Sequence, residues 1–300
     1  MSNESISRKR DSLTRRDFLK KSIATGAALA MPSIINKLGK SAPSSDREFL
    51  EIEDGNFYMG GDEYTIKGAN YLTRDHPWRM FHDYDPEQID KELELAEDMG
   101  MIAVRVAIMH PYSIGKVDHG DKPPTCTEID EDYFDNFNNF LDIADNHDIK
   151  VMPICFGYTP WQYFEPVNHD LGEEYLENWL PEFVDDERIV AWDAKNEPEI
   201  HQNFFDKKGE GNKYKIPEFT RKMAEKIRKM DDNHPVTIGL NDSHAPDGDV
   251  EEHLVEALPK YVNNEDFYSF HFFVPIKHFD PAMEKIRNQT DKPIVLQEYG

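Results

Sequence analysis

The sequence predicts an α/β fold on a parallel sheet, and three observations predict it. Short β-type runs alternate with amphipathic helical stretches from Asp46 onward, seven such runs can be counted, and the stretch has the length at which a single (β/α) barrel is common. The runs lie at 64–70, 102–108, 150–156, 189–196, 236–240, 267–273 and 293–298. An acidic, Gly-containing lead-in at 49–62 reads as a hairpin closing the barrel floor. The expected fold is therefore a (β/α)8 TIM barrel over 46–300 without its last strand and helices, since the sequence stops at Gly300, two residues after Glu298. Truncation is the expected cause, and the first and seventh strands are expected to have unpaired edges.

Caps and periodicity signal the helices. Asp85 caps the first, Pro86 fits its opening turn and Gln88 completes a capping box. Its apolar side reads Ile89, Leu93, Ala96 and Met99, and Gly100 ends it. The second presents Tyr133, Phe137, Phe140, Leu141 and Ala144; the fourth starts near Pro217 and Glu218 and presents Phe219, Met223, Ile227 and Met230. The third, 173–184, contains Pro181 and is expected to kink or break there.

Residues 1–45 read as an export signal and linker. Arg8, Lys9 and Arg10 precede Thr14-Arg15-Arg16-Asp17-Phe18-Leu19-Lys20, a twin-arginine pattern, and the apolar run at 22–35 is too short to span a bilayer comfortably. The expected localisation is secreted or extracytoplasmic. Those residues carry 9 of the 34 Lys and Arg and 3 of the 59 Asp and Glu, so the remainder holds 25 basic against 56 acidic side chains, a net charge of −31. Such a charge repels nucleic acid and anionic membranes and favours a neutral ligand. It would also suit solvation in a salty habitat. Cys126 and Cys155 are too few for a disulfide framework or a thiolate zinc site, and Cys155, in an apolar run, reads as a small core residue. The acidic tracts at 130–132 and 185–187 read as solvated helix ends and loops, and a monomer is expected.

Catalytic groups on this architecture sit where strands end, at the C-terminal face. The fourth run ends Ala194-Lys195-Asn196-Glu197-Pro198-Glu199 and the seventh Leu296-Gln297-Glu298-Tyr299, which puts Glu197 and Glu298 on one rim, nearly facing each other. Glycoside hydrolysis requires such a pair: one carboxyl donates a proton to the leaving oxygen and the other attacks the anomeric carbon. Arg105, in a run of Val and Ala, would be costly to bury without a carboxylate partner. Trp78, His110, Tyr158 and Trp161 fall in or near strand-end loops, where rings could stack on sugars, Trp161 foremost.

Asn196-Glu197-Pro198 together with Gln297-Glu298-Tyr299 resembles the clan A glycoside hydrolases, closest to family five, the cellulase- and mannanase-like group. Gly68-Ala69-Asn70-Tyr71, Val104-Arg105-Val106 and Ser269-Phe270-His271 match the same layout. The resemblance implies a retaining mechanism, with Glu197 as acid/base and Glu298 as nucleophile. It also implies Asn196 on the sugar 2-hydroxyl, Arg105 beside the nucleophile and His271 lining the cleft. The family often has an aromatic hydroxyl two residues beyond that histidine, where this sequence has Phe273, and Tyr299 is the substitute considered. The expected activity is hydrolysis of a β-linked neutral polysaccharide or oligosaccharide, of mannan or β-glucan type, by double displacement with no cofactor and no metal. Two rivals stay open: a non-catalytic carbohydrate-binding barrel, suggested by Phe273, and a metal-dependent hydrolase using Asp and His at the rim. Asn241-Asp242-Ser243 and Asn288-Gln289-Thr290 fit glycosylation sequons.

Overall fold

A computed structural model of the chain describes residues 48–108, 131–157, 159–241, 260–261, 265–273 and 275–299. The chain divides into Met1–Asp46 and Arg47–Gly300, and every described residue belongs to the second unit. The export reading of residues 1–45, and the expectations for His110, Cys126 and Tyr158, lie outside the described residues.

The lead-in forms an antiparallel sheet of three short strands, β1 (Leu50–Glu53), β2 (Asn56–Met59) and β3 (Asp62–Glu63). Asp54 and Gly55, both at positive φ, join β1 to β2, as a two-residue hairpin of matching twist requires. Leu50 and Phe57 pack with Met152, Val190, Ala191 and Phe267, so the hairpin seals the end at which the barrel strands begin.

Seven parallel strands follow in chain order: β4 (Gly68–Asn70), β5 (Ala103–Ala107), β6 (Lys150–Phe156), β7 (Trp192–Asn196), β8 (Val236–Asn241), β9 (Tyr268–Phe272) and β10 (Ile294–Tyr299). Each matches a predicted run, with β4 and β7 shorter than predicted. The end strands, expected to leave open edges, come together, and the Asn70 amide donates across to the Gln297 carbonyl at 3.1 Å. The sheet is a nearly closed barrel.

Around it run α1 (Pro86–Asp98), α2 (Glu131–Asn146), α3 (His169–Trp179), α4 (Pro198–Lys207), α5 (Ile216–Met230) and α6 (Phe279–Arg287). Asp85 caps α1 by accepting from the Gln88 backbone at 3.1 Å, but the Gln88 side chain turns to Glu92, so only half the expected capping box forms. Ile89 and Leu93 are buried as expected, whereas Met99 lies beyond the last turn and is exposed. All five apolar residues predicted for α2 are buried, as are Phe219, Met223 and Ile227 of α5. The third helix starts earlier than predicted and gives way at Leu180-Pro181 to a 3₁₀ turn, because Pro181 can supply no N–H to an α-helical ladder. α4 and α6 were not anticipated.

Two irregularities set the site. Side chains along a strand alternate between faces, and a bulge resets that alternation. Register shifts lie between Asp193 and Asn196 of β7 and between Leu296 and Glu298 of β10. As a result Asp193 and Asn196, three apart, reach the same guanidinium, and the neighbours Gln297 and Glu298 both make contacts inside the barrel.

Candidate active site

Arg105, from the middle of β5, is the hub. It is buried, and its fork spends all its donor atoms on three other strands. Nε and Nη2 donate to Asp193 Oδ2 at 2.9 and 2.7 Å, and Nη2 also reaches Asn196 Oδ1 at 2.6 Å. Nη1 donates to Asn70 Oδ1 at 2.9 Å and to Glu298 Oε1 at 2.8 Å. The cost of burying a cation among Val and Ala is met by two carboxylates, Asp193 wholly enclosed and Glu298 partly exposed.

Glu197 follows β7 and is the N-cap of α4, with Pro198 in the first helical position. Its backbone sits in the left-handed region at φ 44°, a conformation that costs a non-glycine residue about 1–3 kcal/mol. Its N–H donates to the Gly239 carbonyl at 2.8 Å, which ties the turn to β8. Oε1 meets His271 Nδ1 at 2.8 Å and accepts from the Asn241 amide, while Oε2 accepts from Asn196 Nδ2 at 3.2 Å. Burial alone would push this carboxyl up, but the hydrogen bonds from His271 and Asn241 outweigh it and hold the group below its ordinary value.

One oxygen of Glu197, one oxygen of Glu298 and one ring nitrogen of His271 all lie within 4.8 Å of one another. Carboxyl groups about 5 Å apart suit direct attack on a sugar, whereas a wider gap is needed to seat a water between them. The same three residues have metal-ligand spacing among the described residues, but Arg105 already places a fixed positive charge on Glu298 Oε1, which opposes a cation there.

Beneath this pair lies a second polar layer. Lys195 is wholly buried, donates from Nζ to the Asn196 carbonyl at 2.6 Å, and is pulled by burial to about 8. Glu199, in the first turn of α4, is pushed up to about 8 by burial; its Oε1 accepts from the Asn241 backbone N–H and its Oε2 has no partner among the described residues. Burial also drives His201 down to about 3.

Four of the residues expected at the site, Arg105, Asn196, Glu197 and Glu298, converge. His271 joins them, but it is fully buried under both carboxylates and does not line an open cleft. Tyr299 is 81% exposed and, among the described residues, makes no hydrogen bond to Glu298; it follows the bulge, on the opposite face from the nucleophile candidate. Phe273 stands edge-on to His271, with ring centroids 6.3 Å apart. Trp161 opens a 3₁₀ turn beyond β6 with one edge against Tyr214 and Lys213 over its ring; Trp78 lies exposed in the loop after β4. No hydrogen bond or ring contact joins either tryptophan to Glu197 or Glu298 among the described residues.

Asp193, Asn241, Glu199, Gln297 and Gly239 were missed. Asp193 and Lys195 had a signal: charges inside the apolar run of β7 raise the same cost of burial that singled out Arg105. Asn241 had been read as a glycosylation sequon; it is 2% exposed and bonded to Glu197, so a glycan cannot be attached to it in the folded protein. Gly239 has no sequence signal, because its role is steric: a Cβ there would lie 2.6 Å from Gln297 Oε1, 2.9 Å from Arg105 Nη2 and 3.0 Å from His271 Nε2.

Comparison with known proteins adds three findings. Residues 62–300 match the family described as Cellulase (glycosyl hydrolase family 5). Mannan endo-1,4-beta-mannosidase 1 of Solanum lycopersicum is 21% identical over 84% of this chain and 74% of its own. Among solved structures, the beta-1,4-mannanase of Aplysia kurodai superposes with a TM-score of 0.58 at 21% identity, covering 83% of this chain and 84% of that one. The endo-1,4-beta-mannanase of Eisenia fetida gives 0.57 at 15%, covering 85% and 82%. At these identities the structures speak for the barrel alone.

Proposed function

Because this chain belongs to glycosyl hydrolase family 5 and is a glycosidase, we propose that it cleaves a β-1,4-linked mannan-type polysaccharide by double displacement, with net retention at the anomeric carbon. In the first half Glu298 attacks that carbon while the proton held at Glu197 passes to the departing oxygen, which keeps the electrons of the broken bond. In the second half Glu197 takes a proton from water, whose oxygen bonds the anomeric carbon and displaces Glu298. Arg105 fixes the aim of Glu298 through the 2.8 Å bond to Oε1, and Asn196, His271 and Asn241 fix that of Glu197.

The observation that carries this reading is the approach of the two carboxylates to within 4.8 Å across one rim. Its test is the first product released from mannopentaose, followed by NMR: the β anomer is expected, and an α anomer would reject retention. A panel of β-mannan, β-glucan and xylan tests the sugar, and faster release from glucan would move the assignment away from mannan. The curated relatives' names motivate mannan, and the net charge of −31 after residue 45 favours a neutral polymer. We also propose export by the twin-arginine route, motivated by Arg15-Arg16 and the apolar run behind them. A reporter fused after residue 45 should leave the cytoplasm and should stay there with Arg15→Lys/Arg16→Lys.

A further inference from the structure

Gln297 lies in the β10 bulge beside Glu298, and its amide cannot face either way at will. Nε2 donates to Asp193 Oδ2 at 3.2 Å and points at the Met152 sulfur at 3.5 Å. Turned over, the amide would set its oxygen against the buried carboxylate that Arg105 also holds, so the carbonyl oxygen must face the other way. There it meets His271 Nε2 at 3.3 Å. Glu298 Oε1, also an acceptor, is 3.5 Å from the same nitrogen. A ring nitrogen facing two acceptors carries the hydrogen, and this leaves Nδ1, 2.8 Å from Glu197 Oε1, as the ring atom free to gain or lose one.

We propose that Gln297 is a positioning residue for the acid step: it pins the hydrogen of His271 to Nε2, so that Nδ1 and Glu197 hold the catalytic proton between them. This rests on Glu197 being the acid/base, and it extends that reading to what keeps the acid loaded. With Nε2 pinned, the pair has two arrangements of one proton, a carboxylic acid donating to a neutral ring or an imidazolium donating to a carboxylate. Both give a hydrogen bond across the 2.8 Å contact. Loss of the proton would leave a ring lone pair facing a carboxylate oxygen, which is repulsive, so the pair resists being emptied. The proton leaves for the glycosidic oxygen in the first half-reaction and is replaced from water in the second.

The groups around His271 are consistent with this. Glu197 approaches from the start of α4, Glu298 from β10, and the Arg105 guanidinium from β5 across the space that a Gly239 side chain would fill; Asp193 of β7 stands behind Gln297. Asn241 of β8 donates to the same Glu197 oxygen and holds it against the ring.

The test is Gln297→Met, similar in length and without the amide acceptor, assayed on two substrates. Mannopentaose needs a proton on its leaving oxygen, whereas 2,4-dinitrophenyl β-mannobioside does not. The expected result is a loss of kcat/KM on the order of 10²-fold for the first and under about threefold for the second, with the alkaline limb of the first profile moved to lower pH. Equal losses on both substrates, or none on either, would overturn the proposal, since a merely structural role moves both together. If the variant does not fold, ¹⁵N spectra of the histidine rings in the wild-type protein decide: a His271 hydrogen on Nε2 at every pH supports it, and one on Nδ1 in the neutral ring overturns it. Failure of the parent reading shows separately, as a Glu197→Ala protein that azide does not rescue on the dinitrophenyl substrate.

Discussion

The two carboxylates that face each other across the barrel mouth sit in different company. Glu298 is bound to Arg105, a cation that cannot give up its proton, and so its surroundings carry one fixed charge. Glu197 is bound to His271 and to the amides of Asn196 and Asn241, groups that are neutral or can become so. The backbones differ too: Glu298 continues a bulged strand, whereas Glu197 occupies a left-handed corner at the head of a helix. A fixed partner suits a group that attacks and leaves as a carboxylate, and a titratable partner suits a group that must be protonated in one half of the cycle and bare in the other.

The comparison breaks most visibly by removing each carboxylate in turn. Glu298→Ala is expected to lose more than about 10⁴-fold in kcat on every substrate, as loss of a nucleophile does. Azide should restore turnover by entering the vacated space and should yield the α-glycosyl azide. Glu197→Ala should keep most of its kcat/KM on a dinitrophenyl glycoside, whose leaving group needs no proton, but lose kcat because the second half lacks its base. Azide should restore that kcat and yield the β-glycosyl azide. The opposite stereochemistry from the two variants would exchange the roles of the residues.

A smaller effect tests where the two neighbourhoods meet. Gly239 lies under both, since a Cβ there would press on Arg105 of one and on His271 and Gln297 of the other. Gly239→Ala should therefore lower kcat by about 10-fold or more while the protein stays folded, because a misplacement of a few tenths of an ångström is felt at both carboxylates. An unchanged kcat would show that the network yields without cost, and that the contacts around Arg105 and His271 are not tuned to the reaction.

What was legible beforehand follows the same division. The barrel could be read because strand and helix periods repeat through the chain, and both carboxylates because each closes a strand run. Arg105 was legible through the cost of its burial, and that argument, carried two strands further, would have found Asp193. α4 was hidden because it is ten residues long and follows the strand without a loop. Gln297 and Asn241 were not legible, since a bulge decides which way the first points and a contact from a distant corner defines the second. The depth of His271 was not legible, because alternation along β9 says that it faces inward and not how deeply it is covered.

The smallest effect concerns the layer below Glu197. Glu199 is buried with one carboxyl oxygen unpartnered among the described residues, and burial lifts it from 4.5 to about 8. A carboxyl raised in the folded chain favours the native state fully below its unfolded value, and that contribution is lost as pH rises toward the folded value. Stability should therefore decline between pH 4.5 and about 8 on account of this group, with no further loss from it above. Glu199→Gln keeps an oxygen for the Asn241 N–H and titrates nothing. Its Tm relative to wild type should rise across that interval, by a few degrees in all, and then level off. Lys195, also buried and pulled to about 8, is present in both proteins and largely cancels in the difference. A flat difference across the interval would mean that Glu199 is ionised in the native protein throughout, with a second negative charge held permanently behind the acid, as in the company of Glu298 but with the sign reversed.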